Sequence, residues 1–345
     1  MSEAAGRRLV ARRNFLAGLT ALPAVAVPQR QTPDWWLPDL TREEAQVRKQ
    51  LSTATGTKLV LLGTHGGPQP GQVRHNSSNV IVHKGAAYMV DCGLGVTNQF
   101  ARTGLSFSAV RSIFITHHHP DHNIEYGPFL VIGWADGGLK QSVTAYGPPP
   151  LEQMTRDFLR SQQATIQFWA EDFEIAPLKM IGVHDLPKAG PVMQDENVRV
   201  TSVLVQHPPV KPAYGYRFDF PDRSIVFSGD TVPLRAVAEI ARGADVLVHE
   251  AMDLAAVRAE AQQAIKRGAK SIETQSGFDV FMRHIIADHS PAEEVGKIAQ
   301  VAGVKTLVLS HLVPASTSVS DSTWRALAAK HYKGEIIVGH DLMVI

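Results

Sequence analysis

Thr116-His117-His118-His119-Pro120-Asp121-His122 follows directly on the apolar run Ile113-Phe114-Ile115. The pattern predicts His-x-His-x-Asp-His on a turn at the end of a buried strand. Four metal-binding side chains (His117, His119, Asp121 and His122) crowd this turn, more than one ion uses comfortably. They suit two ions held side by side. His117 and His119 leave the strand end two residues apart, so both imidazoles can face one ion. Asp121 and His122 follow Pro120 and can face a second, while His118 points away. Imidazole with carboxylate suits Zn(II), with Mn(II) or Fe(II) as alternatives.

Two ions need more ligands. His207, Asp230 and His311 each follow a β-like run and are the natural candidates. Asp230, in Ser228-Gly229-Asp230-Thr231, can bridge both ions through its two oxygens. The expected sets are His117, His119, His207 and Asp230 for one ion, and Asp121, His122, Asp230 and His311 for the other. A pair of ions ~3.5–4 Å apart leaves room for a nucleophilic water between them.

The rest of the chain is consistent with a layered α/β protein. It has 345 residues, 44% of them hydrophobic, enough for a large core. Strand patterns run through Lys58–Leu62, Asn79–Val82, Ala87–Val90, Arg111–Thr116, Val198–Val205, Tyr214–Phe220, Ser224–Phe227, Val246–Val248 and Thr306–Leu309. Helical spacing marks 41–52, Val96–Thr103, Leu151–Gln163 and Ala292–Ala302. Ser290 reads as an N-cap with Glu293 three residues on, a capping box. Lys plus Arg is 34 and Asp plus Glu is 33, a balance that steers the chain toward neither nucleic acid nor an anionic membrane. The expected partner is a small molecule, with no nucleic acid.

The N-terminus reads Arg12-Arg13-Asn14-Phe15-Leu16, then an apolar stretch to Val27 with small residues Ala24 and Ala26. This three-part pattern predicts a twin-arginine-type signal over 1–30, followed by a lead-in over 31–57 and one folded domain over 58–345. The apolar run is short of the ~20 residues of a span, so no stable membrane span is expected after signal removal. The expected location is periplasmic or extracellular. Cys92 is the single cysteine, read as a small buried residue rather than a nucleophile.

The order of motifs resembles the metallo-β-lactamase superfamily in its ribonuclease Z-like branch, over residues 58–345. The resemblance rests on Leu62-Gly63-Thr64, Asp91-Cys92-Gly93, the His117–His122 cluster, Tyr146-Gly147-Pro148, His207 and Ser228-Gly229-Asp230-Thr231. It continues through His249-Glu250-Ala251, His289-Ser290 and Leu309-Ser310-His311. It implies an αββα sandwich with two divalent metals at one edge, and a homodimer. It also implies Asp121 as the group that orients or deprotonates water and His249 as proton donor, its tautomer set by Glu250. His65, in a glycine-rich turn, and His289 are expected at the substrate. Trp134, in Gly133-Trp134, resembles the exported arylsulfatase and phosphodiesterase members and is expected to line an apolar pocket. In ribonuclease Z enzymes a tRNA-gripping arm lies between the equivalents of His207 and Asp230; here Pro208–Gly229 leave no room for it. Met252–Asp288 is longer than its counterpart and is expected to form a lid or dimer contact. The implied function is hydrolysis of a small ester, an aryl sulfate or a phosphodiester. A lactonase or β-lactamase-like activity, or a noncatalytic metal-binding role, are the alternatives.

Overall fold

The computed structural model describes residues 40–70 and 73–345. The proposed signal and the first part of the lead-in, residues 31–39, lie outside the described residues. Two seven-stranded sheets dominate the structure. The first holds β1 (Lys58–Gly63), β2 (Ser78–His83), β3 (Ala86–Cys92), β4 (Val110–Phe114), β5 (Thr144–Gly147) and β6 (Gly182–Asp185). The second holds β7 (Gly190–Gln194), β8 (Arg199–His207), β9 (Val210–Asp219), β10 (Ser224–Phe227), β11 (Val246–Met252), β12 (Thr306–Val313) and β13 (Glu335–Val338). The last strand, β14 (Met343–Val344), returns to pair with β1. Each sheet is antiparallel on one side and parallel on the other, with β3 to β6 and β10 to β13 forming the parallel runs.

Alternation along the strands explains the layering. Leu59, Leu61, Ile81, Tyr88 and Phe114 from the first sheet meet Tyr216, Phe218, Ile225, Val246 and Val248 from the second in one buried cluster. The intervening residues face outward under helices. Over the first sheet lie α1 (Arg42–Ser52), α2 (Val96–Arg102), the short α3 (Pro120–Asn123), α4 (Tyr126–Ala135), α5 (Leu151–Ser161) and α6 (Gln163–Asp172). The second carries α7 (Arg235–Ile240), the pair α8 (Leu254–Lys266) and α9 (Gln275–Asp288), then α10 (Ala292–Ala302) and α11 (Asp321–Ala329). This is the αββα sandwich expected.

Several sequence expectations shift. The hairpin at Lys84-Gly85 forms as read, with φ of 47° and 78° at the two turn residues. Strands β11 and β12, however, continue past the apolar runs that announced them. His249 pairs with Leu309 and Glu250 with Ser310, inside the ladder rather than after it. The Ser290 capping box does not form: the Ser290 hydroxyl donates to the Thr231 carbonyl at 2.7 Å, and α10 has Pro291 as its N-cap, without a side-chain cap. Hydrophobic periodicity marks where a strand is buried, not where its hydrogen bonds stop.

Candidate metal centre

The strand ends of both sheets converge at one edge. From β4 the chain passes Thr116 and enters α3 at Pro120, which fixes φ at the first helical position and turns Asp121 and His122 back toward the sheets. From the second sheet, His207 is the last residue of β8, and Asp230 follows Gly229 after β10. Gly229 has φ 61°, and a Cβ there would lie 2.6 Å from the Tyr214 carbonyl, so the turn that presents Asp230 requires glycine. His311 sits at a β-bulge: β12 spends Ser310, His311 and Leu312 against Glu250 and Ala251 of β11. Its φ of 43° swings the imidazole to the site edge.

All seven expected ligands meet there, in two groups. In the first, Nδ1 of His119 lies 3.1 Å from Nε2 of His117 and 2.9 Å from Nε2 of His207. One proton cannot satisfy three ring nitrogens facing one point, whereas a cation satisfies all three. In the second, Asp121, His122, Asp230 and His311 are all buried. Asp230 Oδ2 is 3.0 Å from His311 Nε2 and 3.3 Å from His122 Nε2. The same oxygen is 3.9 Å from His117 Nε2 and 3.8 Å from His207 Nε2, so it borders both groups. His118 points away as expected, its Nε2 2.8 Å from the Pro148 carbonyl.

Outer contacts orient the rings. His122 Nδ1 contacts Asp91 Oδ2 at 2.8 Å, and Asp91 also accepts from the Thr116 amide and hydroxyl. His207 Nδ1 donates to the Asp288 carbonyl at 2.9 Å, at the C-terminus of α9. The long segment before His289 therefore positions a ligand. Asp121 Oδ2 accepts from the Gly67 amide at 3.0 Å, which ties it to the loop carrying His65. Sequence reading missed Asp91 and Asp288 as orienting residues. Asp91 carried a legible signal, an acid followed by Cys-Gly at the end of a buried run; a backbone carbonyl carries none.

Electrostatics separate the groups. Burial, with His122 second, holds His117 well below the ordinary histidine value. Burial and His207 bring His119 down to about 4. In the second group burial again lowers the histidines but is outweighed: Asp230, Asp91 and Asp121 hold His122 well above the ordinary value, and Asp230 and Asp121 push His311 up to about 10. The carboxylates respond in kind. Burial raises Asp121 and Asp230, but His122 and His311 outweigh it and hold both low.

The structure places His249 and Glu250 on opposite faces of one strand. Alternation on β11 puts His249 on the face of Leu247, against the helix layer, and Glu250 on the face of Val248. His249 is fully buried and its Nδ1 contacts the Glu250 carbonyl at 2.8 Å. The Glu250 carboxylate instead contacts His289 Nδ1 at 2.8 Å. The His289 ring lies 5.2 Å from that of His207 and 5.6 Å from that of His311. Burial lowers His289, but Glu250 outweighs it and raises the ring above its ordinary value. Glu250 thus serves His289 rather than His249, and His289 faces the centre. His65 is partly buried beside the Asp121 loop, its ring lowered by burial first and by His311 next. Trp134 is not at the site: it is 6% exposed in the core under the first sheet, its indole N–H donating to the Ala176 carbonyl. Cys92 is buried as expected, and burial pushes its thiol up.

Fold and motif order define a metallo-β-lactamase-type hydrolase. The profile of the Metallo-beta-lactamase superfamily matches residues 71–272, and the chain belongs to that superfamily. Curated relatives include the Ribonuclease Z of Mycobacterium bovis, 32% identical over 288 residues, 83% of this chain and 96% of the relative. The Ribonuclease Z of Mycobacterium avium is 30% identical over 290 residues, again 83% of this chain and 96% of the relative. Among solved structures, human tRNase Z, short form (ELAC1), superposes with TM-score 0.59 at 20% identity, covering 84% of this chain and 98% of that one. YhfI of Bacillus subtilis gives 0.60 at 17% identity, covering 84% and 99%. These two show the fold. The fold implies divalent metals, and the His/Asp cluster provides donors for them.

The relatives overturn one expectation. No nucleic-acid partner was expected, yet the curated relatives are named as ribonucleases. The physical fault is plain. A whole-chain balance of 34 cations against 33 anions says nothing about charge at one edge of the fold. The missing arm is a fact of structure, since β8 and β9 join through Pro208-Pro209 alone, with His207 opposite Val210. It removes one way of gripping RNA, not RNA itself. Among the described residues no helix is long and apolar enough to cross a membrane.

Proposed function

We propose that the chain hydrolyses phosphodiester bonds at this centre, with RNA among its substrates beside smaller esters. The observation that carries the reading is the Glu250–His289 pair facing the seven-ligand cluster. His117, His119 and His207 would hold one ion, Asp121, His122 and His311 the other, with Asp230 between them. When bound, such a pair neutralises charge developing on phosphoryl oxygens and lowers the pKa of a coordinated water toward neutrality.

The chain's own groups do the rest. Asp121, fixed by the Gly67 amide, points a carboxylate oxygen at the centre, where it can accept a proton from the attacking water. His289 keeps Nδ1–H on Glu250 Oε2, which leaves Nε2 to carry the proton that the departing alkoxide takes. A leaving group that needs a proton is the signature of an alkyl or ribose ester. Relatives named Ribonuclease Z support the phosphodiester over the sulfate or the lactone.

The test compares precursor tRNA, bis(p-nitrophenyl) phosphate, p-nitrophenyl sulfate and a lactone on zinc- or manganese-loaded protein. Diester turnover is expected. His289→Ala should slow the RNA substrate by about 10²–10⁴-fold and the nitrophenyl diester much less, because nitrophenolate leaves unaided. Turnover confined to the sulfate or the lactone would sink the proposal, and equal slowing of both diesters would remove His289 as the proton donor.

A further inference from the structure

A cavity of about 810 Å³ opens beside His207. The β8–β9 hairpin forms one wall with Leu204, Pro208 and Pro212, while Leu234 and Ala287 close the other. Apart from His207 itself, its polar lining is Gln206 and Lys211, and it contains no acid. That composition contrasts with the centre next door, where carboxylates and imidazoles fill every position. Leu204 is 50% exposed, a large apolar side chain left facing water at the lip of a polar site.

The cavity is indexed to the reacting centre. Ala287 precedes Asp288, whose carbonyl accepts from His207 Nδ1, so the wall is tied directly to the ligand. The volume lies in the range of small-ligand pockets. A methyl ester would leave it open, and a flat ring would cover Leu204 and the prolines. An anionic diester meets no repulsion there, and Lys211 adds attraction.

We infer that this cavity is a specificity subsite that receives the flat ring carried by the phosphoryl substrate, either an aryl group attached to the phosphoryl or a nucleobase carried on its ribose. The inference rests on the phosphodiester reading and deepens it. Its walls come from the short hairpin and from α9, so the subsite belongs to this chain's own loop lengths.

Calorimetric titration of zinc-loaded protein with phenylphosphonate, uridine 5′-monophosphate and methylphosphonate tests it. Ring-bearing ligands should bind about tenfold tighter than methylphosphonate. Leu204→Asp should abolish that ratio, with Leu204→Ala as the milder variant should the first not fold. A preference shared by phenyl and uridine supports a general flat-ring subsite, and a preference for uridine alone supports its nucleobase form. Equal binding of phenyl- and methylphosphonate together with no uridine preference overturns the inference, as does a ring preference that survives both variants. These ligands need no turnover to bind, so failure of bis(p-nitrophenyl) phosphate hydrolysis would count against the phosphodiester reading and not against the subsite.

Discussion

The two ligand groups sit side by side yet are built from opposite chemistry. His117, His119 and His207 offer imidazoles and no carboxylate, one of them partly exposed and one shared with the apolar cavity. Asp121, His122, Asp230 and His311 are buried and bring two carboxylates, with a third, Asp91, behind His122. Neutral donors keep a site electrophilic and open to an incoming anion. Carboxylates hold a cation tightly and use up its charge. On the proposed phosphodiester reading, the second group would anchor its ion and the first would meet substrate, with Asp230 joining the two.

Removing the join should have the largest effect. Asp230→Asn keeps the shape but loses the charge that faces four imidazoles at 3.0–3.9 Å. Turnover should fall to background. Metal content by plasma mass spectrometry should drop from two equivalents to one or fewer. Retention of both equivalents would break the bridging assignment. A smaller effect is expected one contact further out. Asp91→Asn leaves His122 Nδ1 without its anionic contact while Thr116 can still donate to the amide oxygen. Affinity for one ion should weaken by about 10–100-fold, and the other should hold. Equal weakening of both would mean that the groups do not act separately.

How much of this was legible depended on sequence distance. His117 to His122 share a turn, so covalent geometry alone brings them together. Asp230 and His207 could be read because each ends an apolar run. The Glu250–His289 pair could not. It spans 39 residues and depends on which face of β11 each residue takes, and the bulge at His311 and the continued ladder set that. The resemblance suggested His249 with Glu250, but neighbours on a strand face opposite sides. The aromatic at Trp134 misled for a related reason: a large side chain after a metal motif says nothing about which side of the sheet it enters. Fold class was legible throughout, since alternating apolar runs of two buried sheets survive errors of a few residues at each end.

The smallest effect sharpens the contrast between the groups through protons. Before metal uptake, His311 is held at about 10 by Asp230 and Asp121 against its burial, above the ordinary value of 6.5. His122 is raised in the same sense. His117 and His119 are lowered and stand neutral at pH 7. The second group must therefore release protons to take a metal, and the first need not. Affinity for the anchoring ion should rise with pH between about 7 and 9, with calorimetric heats that depend on the buffer's ionisation enthalpy. The stability of the metal-free protein runs the other way. A raised histidine contributes fully below its unfolded value of 6.5, and the contribution is lost as pH climbs toward 10. Melting of chelated protein should thus fall by a few degrees across that window, while the metal-loaded protein, whose rings carry no titrating proton, holds level. A flat profile for the chelated protein would show that the carboxylates do not stabilise protonated rings, and the charge contrast between the groups would then have to be abandoned.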